Sequence, residues 1–401
     1  MDIQWLDWAT MLLRWLHVIT AIAWIGASFY FVWLDLSLRT PSAENHRTNN
    51  DALTGELWAI HGGGFYQVAK YKSHPEPLPE TLHWFKWEAY STWLTGSALL
   101  IAVYYFKANA YLVGPDSWVS DPTTAILASV GYLVGSLAVY EVLMRYVIRG
   151  GWAQLIAGVV LVFALSWLAF ELFAPRAAII HVGAALATMM AANVFLVIIP
   201  SQKAFVAAAE SGGEVDLTLS TNAKLRSTQN NYFTLPVLFC MLANHSAFVY
   251  AHAHAWIYVA LFSLVAAWAR HYFNAKHTGN HQPGILISAG VAFVLLIIAS
   301  AWTGTDSLSK GSADQATDTS EAQVASVVAK HCTNCHANEP TQPGFVAPPG
   351  GLVFVSPADL LTHKDTVQTS VSTGFMPLGN MTGMQDTERQ ALLTWLEQAQ
   401  P

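Results

Sequence analysis

The sequence predicts an all-α chain: a polytopic bundle of eight membrane-spanning helices followed by a small, separate all-α domain. Three observations point there. Only 11% of the 401 residues are Asp, Glu, Lys or Arg, where a soluble globular chain carries about 25%. Seven long runs hold no charged residue at all. The charge is also uneven: residues 1–302 hold 15 basic and 16 acidic side chains, and residues 303–401 hold 4 and 10. A greasy, nearly neutral region is thus joined to a short acidic one. Neither is basic enough to suggest nucleic acid.

A span needs roughly 20 mostly apolar residues. The charge-free runs are 15–34, 89–106, 122–140, 152–170, 177–202, 227–269 and 282–305. The run 227–269 has 43 residues and holds two spans, broken at the polar turn 250–254. The total is eight. The first run follows Asp2 and Asp7 rather than a basic leader, and it is too long for a cleaved signal, so it reads as a retained helix.

Lys and Arg favour the cytoplasmic side of short loops. With the N-terminus outside, the inner segments carry Arg39, Arg47, Lys70, Lys72, Lys86, Arg145, Arg149, Lys203, Lys224, Arg226, Arg270 and Lys276, whereas the outer ends carry Arg14, Lys107 and Arg176. Twelve against three fixes the orientation. An even number of spans then puts the C-terminal domain outside as well.

The organisation is therefore 1–302 membrane region, 303–320 flexible polar linker and 321–401 small domain. Within the last, Cys332-Thr-Asn-Cys335-His336 is the C-x-x-C-H pattern of covalent haem attachment. The spacing lets two thiols on one helical turn reach the haem vinyl groups while the next imidazole ligates iron. A disulfide redox pair, the competing reading, needs no following His. One haem c is expected. Its second ligand is expected to be a Met: Met376, in the rigid step before Pro377, with Met381 next and Met384 as packing. Helices are expected near 321–331 and from about Asp386, the latter with Thr387 and Gln390 as a capping box. Two terminal helices crossing over a haem are the usual plan of a class I cytochrome c domain. Cys240, alone in the sixth span, reads as a small packing residue.

Polar residues inside a span are costly and often functional. His17, His181 and His245 fall in the outer half of the bilayer in the first, fifth and sixth spans. They are candidate ligands of a b-type haem, with the small stripe Ala185, Thr188 and Ala192 leaving room for it. Helix packing explains such a stripe equally well. His83 and His271, at inner ends, are candidates for a second b haem.

The longest inner loop, 38–83, contains Trp58, His61-Gly62-Gly63-Gly64, Phe65, Tyr66, Lys70, Tyr71 and Lys72. Aromatic faces with cations suit a flat anionic ligand, and His61, Tyr66, Lys70 and Arg226 are the candidate substrate residues. An interfacial aromatic belt is the plainer alternative. The H-G-G-G run is not an esterase oxyanion hole, because no G-x-S-x-G exists. Nucleotide-binding glycine motifs and H-E-x-x-H are also absent.

The segments LHVITAIAWIGASFYFVWLD (16–35), LWAIHGGGFYQVAKYK (57–72), LHWFKWEAYSTWLTG (82–96), HVGAALATMMAANVFLVIIPSQK (181–203) and NNYFTLPVLFCMLANHSAF (230–248), with the C-x-x-C-H tail, resemble the membrane-bound cytochrome c urate oxidase (urate hydroxylase) family. The resemblance covers essentially the whole chain. It implies oxidation of urate to 5-hydroxyisourate in purine catabolism. Electrons would pass to a soluble or membrane-bound cytochrome c or a terminal oxidase, and no hydrogen peroxide would form. It also implies a bacterial inner membrane, with both chain ends on the periplasmic side. Two rivals share the same features: another haem-linked dehydrogenase or quinol-to-cytochrome carrier, and a non-enzymatic haem-binding membrane protein.

Overall fold

The computed structural model describes residues 2–41, 53–114, 117–147, 151–212, 216–250, 252, 254–309, 320–342, 347–372, 374–380 and 382–399. Arg47, Arg149, Met381 and positions 310–319 of the expected linker lie outside them. The described residues are mostly helical, 74% helix and 5% strand.

The strand is a correction to the all-α expectation. β1 (Leu53–His61) and β2 (Gly64–Tyr71) pair antiparallel, and His61 faces Gly64 across the ladder. The loop is just Gly62 and Gly63, at φ +57 and +81. Two consecutive positive φ angles match the twist of a tight hairpin, and only glycine adopts them without strain. The H-G-G-G run is therefore a hairpin turn. Backbone hydrogen bonds between Arg39 and Glu56 fasten the hairpin to the end of the first helix, α1 (Asp2–Ser37).

The remaining elements of residues 1–302 are α2 (Trp87–Leu100) with a π-turn over Ile101–Tyr105, α3 (Ala108–Tyr111), α4 (Pro122–Val142) with a π-turn over Leu143–Val147, α5 (Gly151–Leu172), α6 (Pro175–Ala192), α7 (Ile199–Glu210), α8 (Leu217–Ala243), α9 (Ala247–Tyr250), α10 (Ala255–His277) and α11 (Pro283–Ser309). A π-turn over Asn193–Ile198 joins α6 to α7 without a break. It precedes Pro200, whose ring cannot sit over a regular i−4 carbonyl. α8 starts ten residues before the expected span, at an N-cap where Asp216 accepts from Thr218 N at 2.8 Å. α11 runs to Ser309, so 303–309 are helical rather than linker.

Among the described residues, five segments are long and apolar enough to cross a membrane: Trp8–Ser37, Pro122–Tyr146, Leu155–Leu172, Pro175–Glu210 and Pro283–Ala301. α2, α8 and α10 carry more polar residues. In α8 these are buried: Arg226, Gln229, Asn230 and Asn231. α6 is the central helix, with Ile179, His181, Val182, Ala185, Leu186 and Met189 fully buried. The outward surface is apolar, with Trp8, Leu12, Ile22, Val134, Val160 and Leu295 more than half exposed or close to it. A soluble monomer rarely shows an apolar surface this extensive.

The C-terminal segment has its own core of Val324, Val328, Leu360, Leu392 and Leu396. It is built from α12 (Glu321–His331), α13 (Thr333–His336), α14 (Pro357–Leu361), α15 (Lys364–Ser372) and α16 (Asp386–Gln398). The cap of α16 is Gln385 with Glu388, not Thr387 with Gln390. The segment rests on one end of the bundle, where the Phe375 ring meets Tyr250 at 5.6 Å.

Candidate functional site

Two cavities lie at opposite ends of the bundle. The first, of about 340 Å³, contains Cys332, Cys335, His336 and Met376. The sequence places the two sulfurs and the imidazole on a single turn: His336 N donates to Cys332 O at 2.9 Å. His336 Nδ1 lies 2.8 Å from the Leu352 carbonyl. A carbonyl can only accept, so Nδ1 carries the proton, and Nε2 is left as the free lone pair. Phe354 packs 5.0 Å from the imidazole and closes one side. The loop bearing Met376 is held at both ends of that residue: its N donates to Ser370 O at 2.8 Å, and its O accepts from Arg389 Nη1 at 2.8 Å. Met384, which also lines the cavity, is buried in the segment's core. His331 is fully engaged, with Thr382 Oγ1 at 2.7 Å and Glu388 Oε2 at 3.1 Å. Burial pushes the Cys332 thiol up to about 11 and raises Cys335 as well, which is the wrong direction for a reactive redox thiolate. An imidazole with an oriented Nδ1–H, two adjacent sulfurs and a thioether around one apolar cavity fit a covalently attached haem.

The second cavity, of about 870 Å³, lies at the other end of α6 and α7. Gln202 on its wall is 26 residues from Arg176 in the first cavity, about 39 Å at helical rise. Its aromatic wall includes Phe31, Trp84, Phe85 and Tyr232. Lys70 arrives from β2 and Lys224 from α8, and both bind the Asp35 carboxylate, Lys224 at 2.7 Å. His83 and His271 both line this cavity. His271 Nδ1 is hydrogen-bonded with Tyr232 Oη at 2.7 Å, and its ring stacks on Trp268 at 5.4 Å.

Asn274, also on the wall, is oriented by a chain of forced assignments. Arg270 can only donate, so the Asn231 atom 2.9 Å from its Nε is an oxygen. That oxygen also receives Asn274 Nδ2 at 3.0 Å. Asn274 Oδ1 and Asn231 Nδ2 are consequently left buried and without partners.

The structure separates the other sequence candidates. Arg226 is buried away from this cavity. It donates to Glu141 Oε2 and to Asn193 Oδ1, each at 3.0 Å, and lies 5.2 Å over the Tyr140 ring. His61 and Tyr66 sit on the exposed hairpin, off the cavity lining. His17 pairs with Thr95 Oγ1 at 3.0 Å, and a Cβ on Gly96 would stand 2.9 Å from its ring. His245 follows the end of α8 and is exposed. His181 is fully buried, with Nε2 2.7 Å from Ser129 Oγ and Nδ1 2.7 Å from Ala177 O. Phe173 stacks on the same ring at 4.1 Å. Both nitrogens of His181 are thus bonded and a phenyl ring covers its face, so it presents no free lone pair. Asn274 and the Tyr232–His271 pair were absent from the substrate candidates. The available signal was the polar cluster Asn231, Arg270 and Asn274 inside otherwise apolar spans.

A family model described as urate oxidase N-terminal matches residues 3–302. No curated protein and no solved structure matches the chain.

Proposed function

This chain belongs to the urate oxidase N-terminal family, and we propose that it is a membrane-bound urate oxidase whose electrons leave through a haem covalently attached to its own C-terminal segment. Urate and water become 5-hydroxyisourate, with release of two protons and two electrons and no hydrogen peroxide. The observation that carries this reading is the 870 Å³ cavity in which Lys70 and Lys224 meet aromatic walls. Urate is a flat anion, so stacking and positive charge are the two interactions it needs. Both ammonium groups share Asp35, and an entering anion competes with that carboxylate. Asn274 Oδ1 is the acceptor for a purine N–H. His271, held by Tyr232, is the base placed to take a proton.

Cys332 and Cys335 are the attachment points, and His336 and Met376 the iron ligands. When bound, the haem supplies a one-electron acceptor whose potential a Met ligand raises. His336 contributes a neutral imidazole locked by Leu352 O.

We read all eight long helices as spans; the polar residues that make α8 and α10 less apolar face inward. An even number puts both chain ends on one side. The connectors that meet the C-terminal segment hold Tyr111, Arg176 and Tyr250, and the loop-charge count places all three connectors outside. This supports a bacterial inner membrane with the haem segment periplasmic, passing electrons to a soluble or membrane-bound cytochrome c or a terminal oxidase.

The test is anaerobic addition of urate to the purified protein while the c-type α band is followed. Reduction without added quinone is expected. A haem that dithionite reduces and urate does not would overturn the assignment.

A further inference from the structure

We propose that Arg176, in the first turn of α6, is the positive partner of the haem's carboxylate edge, so that the membrane bundle completes the haem pocket of the C-terminal segment. The inference rests on the haem reading above and is independent of which substrate is oxidised.

The cavity around His336 is not closed by its own segment alone. Tyr111 and Arg176 from the bundle stand on its wall. The Phe375–Tyr250 contact, one residue before Met376, fixes the bundle against the same loop. Haem carries two carboxylates, and the C-terminal segment has little to offer them. Residues 303–401 hold 4 basic against 10 acidic residues. Lys310 lies outside the described residues. Lys330 is paired with Glu388, and Lys364 donates to Ala399 O. Arg389 donates to the carbonyls of Val371 and Met376. Among the residues lining the cavity, Arg176 is the one Lys or Arg.

The Arg176 guanidinium stands beside the Tyr104 hydroxyl and, among the described residues, is bound to no acid. Its Nε is buried without a hydrogen-bond partner. The guanidinium lies 5.3 Å over the Tyr111 ring, which lines the same cavity. A planar fork with an unused donor is suited to a carboxylate, with which it can form two parallel hydrogen bonds. A fixed cation near the iron favours the reduced, more negative state, so docking on the bundle raises the haem potential.

The experiment uses the full-length protein in detergent, with Arg176→Gln and Arg176→Lys beside the wild type. Haem content is read by pyridine haemochrome, and the midpoint potential by spectroelectrochemical titration at low and high salt. With haem content unchanged, the Gln variant is expected to shift to a lower potential. The Lys variant, which keeps the charge but not the fork, should fall part-way, so it carries the test should the Gln variant fail to accumulate. A wild-type potential in either variant with intact haem overturns the proposal. A wild type that lacks haem c overturns the haem reading, and this proposal with it.

Discussion

Arg226 Nη2 lies 3.0 Å from Glu141 Oε2, and both side chains are nearly buried. The same oxygen accepts from Arg145 Nε at 3.1 Å, and the other guanidinium arm reaches Asn193 at the π-turn after α6. The pair therefore ties α4, α6 and α8 together. Removing one partner of a buried ion pair costs about 3–5 kcal/mol, because the other charge is stranded. Arg226→Ala should lower the thermal unfolding midpoint of the detergent-solubilised protein, whereas Lys70→Ala should not. Equal melting curves would return Arg226 to the list of substrate residues.

Lys70 and Lys224 present the opposite case. Their bonds to Asp35 are half-exposed, and such pairs contribute about 0–1 kcal/mol to folding. A charge-assisted hydrogen bond to a bound anion is worth about 1.5–3 kcal/mol. Replacing either lysine by Ala should therefore raise the KM for urate roughly 10- to 160-fold with little change in stability. Steady-state cytochrome reduction measures the first quantity and thermal unfolding the second. A KM that stays put in both variants places the substrate elsewhere.

Asn274 should determine which purines enter. Its Oδ1 faces no protein donor because Arg270, through Asn231, fixes the amide the other way round. Asn274→Ala removes one acceptor, a loss of about 1–3 kcal/mol or roughly 5- to 160-fold in kcat/KM. Across the N-methylated urates, the wild type should reject one isomer that the variant no longer distinguishes from urate. An identical ranking in both proteins removes Asn274 from the purine edge.

The C-terminal segment should be acid-labile through Glu388. Its carboxyl is held down at about 2 by the Gln385 backbone N–H first, then by Lys330, with His331 adding to it. A depressed carboxylate stabilises the fold above its unfolded value, near 4.5, and loses that contribution as pH falls through the folded value. Stability of the segment should thus be flat above pH 5 and decline between about 4.5 and 2. Circular dichroism through an acid titration would show it. Glu388→Gln should flatten the decline, and an unaltered slope would assign it to another group.

Much of this was legible in the chain. The runs free of charge located the long apolar helices, five of which among the described residues are long and apolar enough to cross a membrane, because excluding charge is the main demand lipid makes on a span. The C-x-x-C-H spacing located the first cavity, because it sets two sulfurs and an imidazole on one turn. The hairpin was not read, although Gly62-Gly63 between two alternating stretches signals it; interleaved Lys and aromatic residues masked the period of two. The second cavity was missed at Asn274 and His271 for a different reason. Its residues come from helices far apart in sequence, and only packing brings them together. Arg226 was misplaced because a basic residue near a span end reads as solvent-facing until Glu141, on another helix, is seen beside it.

His181 offers a test of what the buried histidines do. Its ring bonds Ser129 and Ala177 O and stacks on Phe173, the pattern of a packing residue whose polar atoms are satisfied. Truncation leaves a cavity in the most buried helix and a Ser hydroxyl without its partner. In lipid an interhelical hydrogen bond contributes about 0.6–1.7 kcal/mol, and the cavity term adds to that. His181→Ala should therefore lower the unfolding midpoint while the pyridine haemochrome spectrum of the full-length protein keeps the wild-type haem count. Should the variant lose a b-type component that the wild type contains, Nε2 belongs to iron, and Ser129 and Phe173 must move aside to admit the macrocycle. Should a b-type component persist in His181→Ala and vanish in His83→Ala or His271→Ala, the large cavity at the other end houses it. The lysines there would then meet haem carboxylates rather than urate.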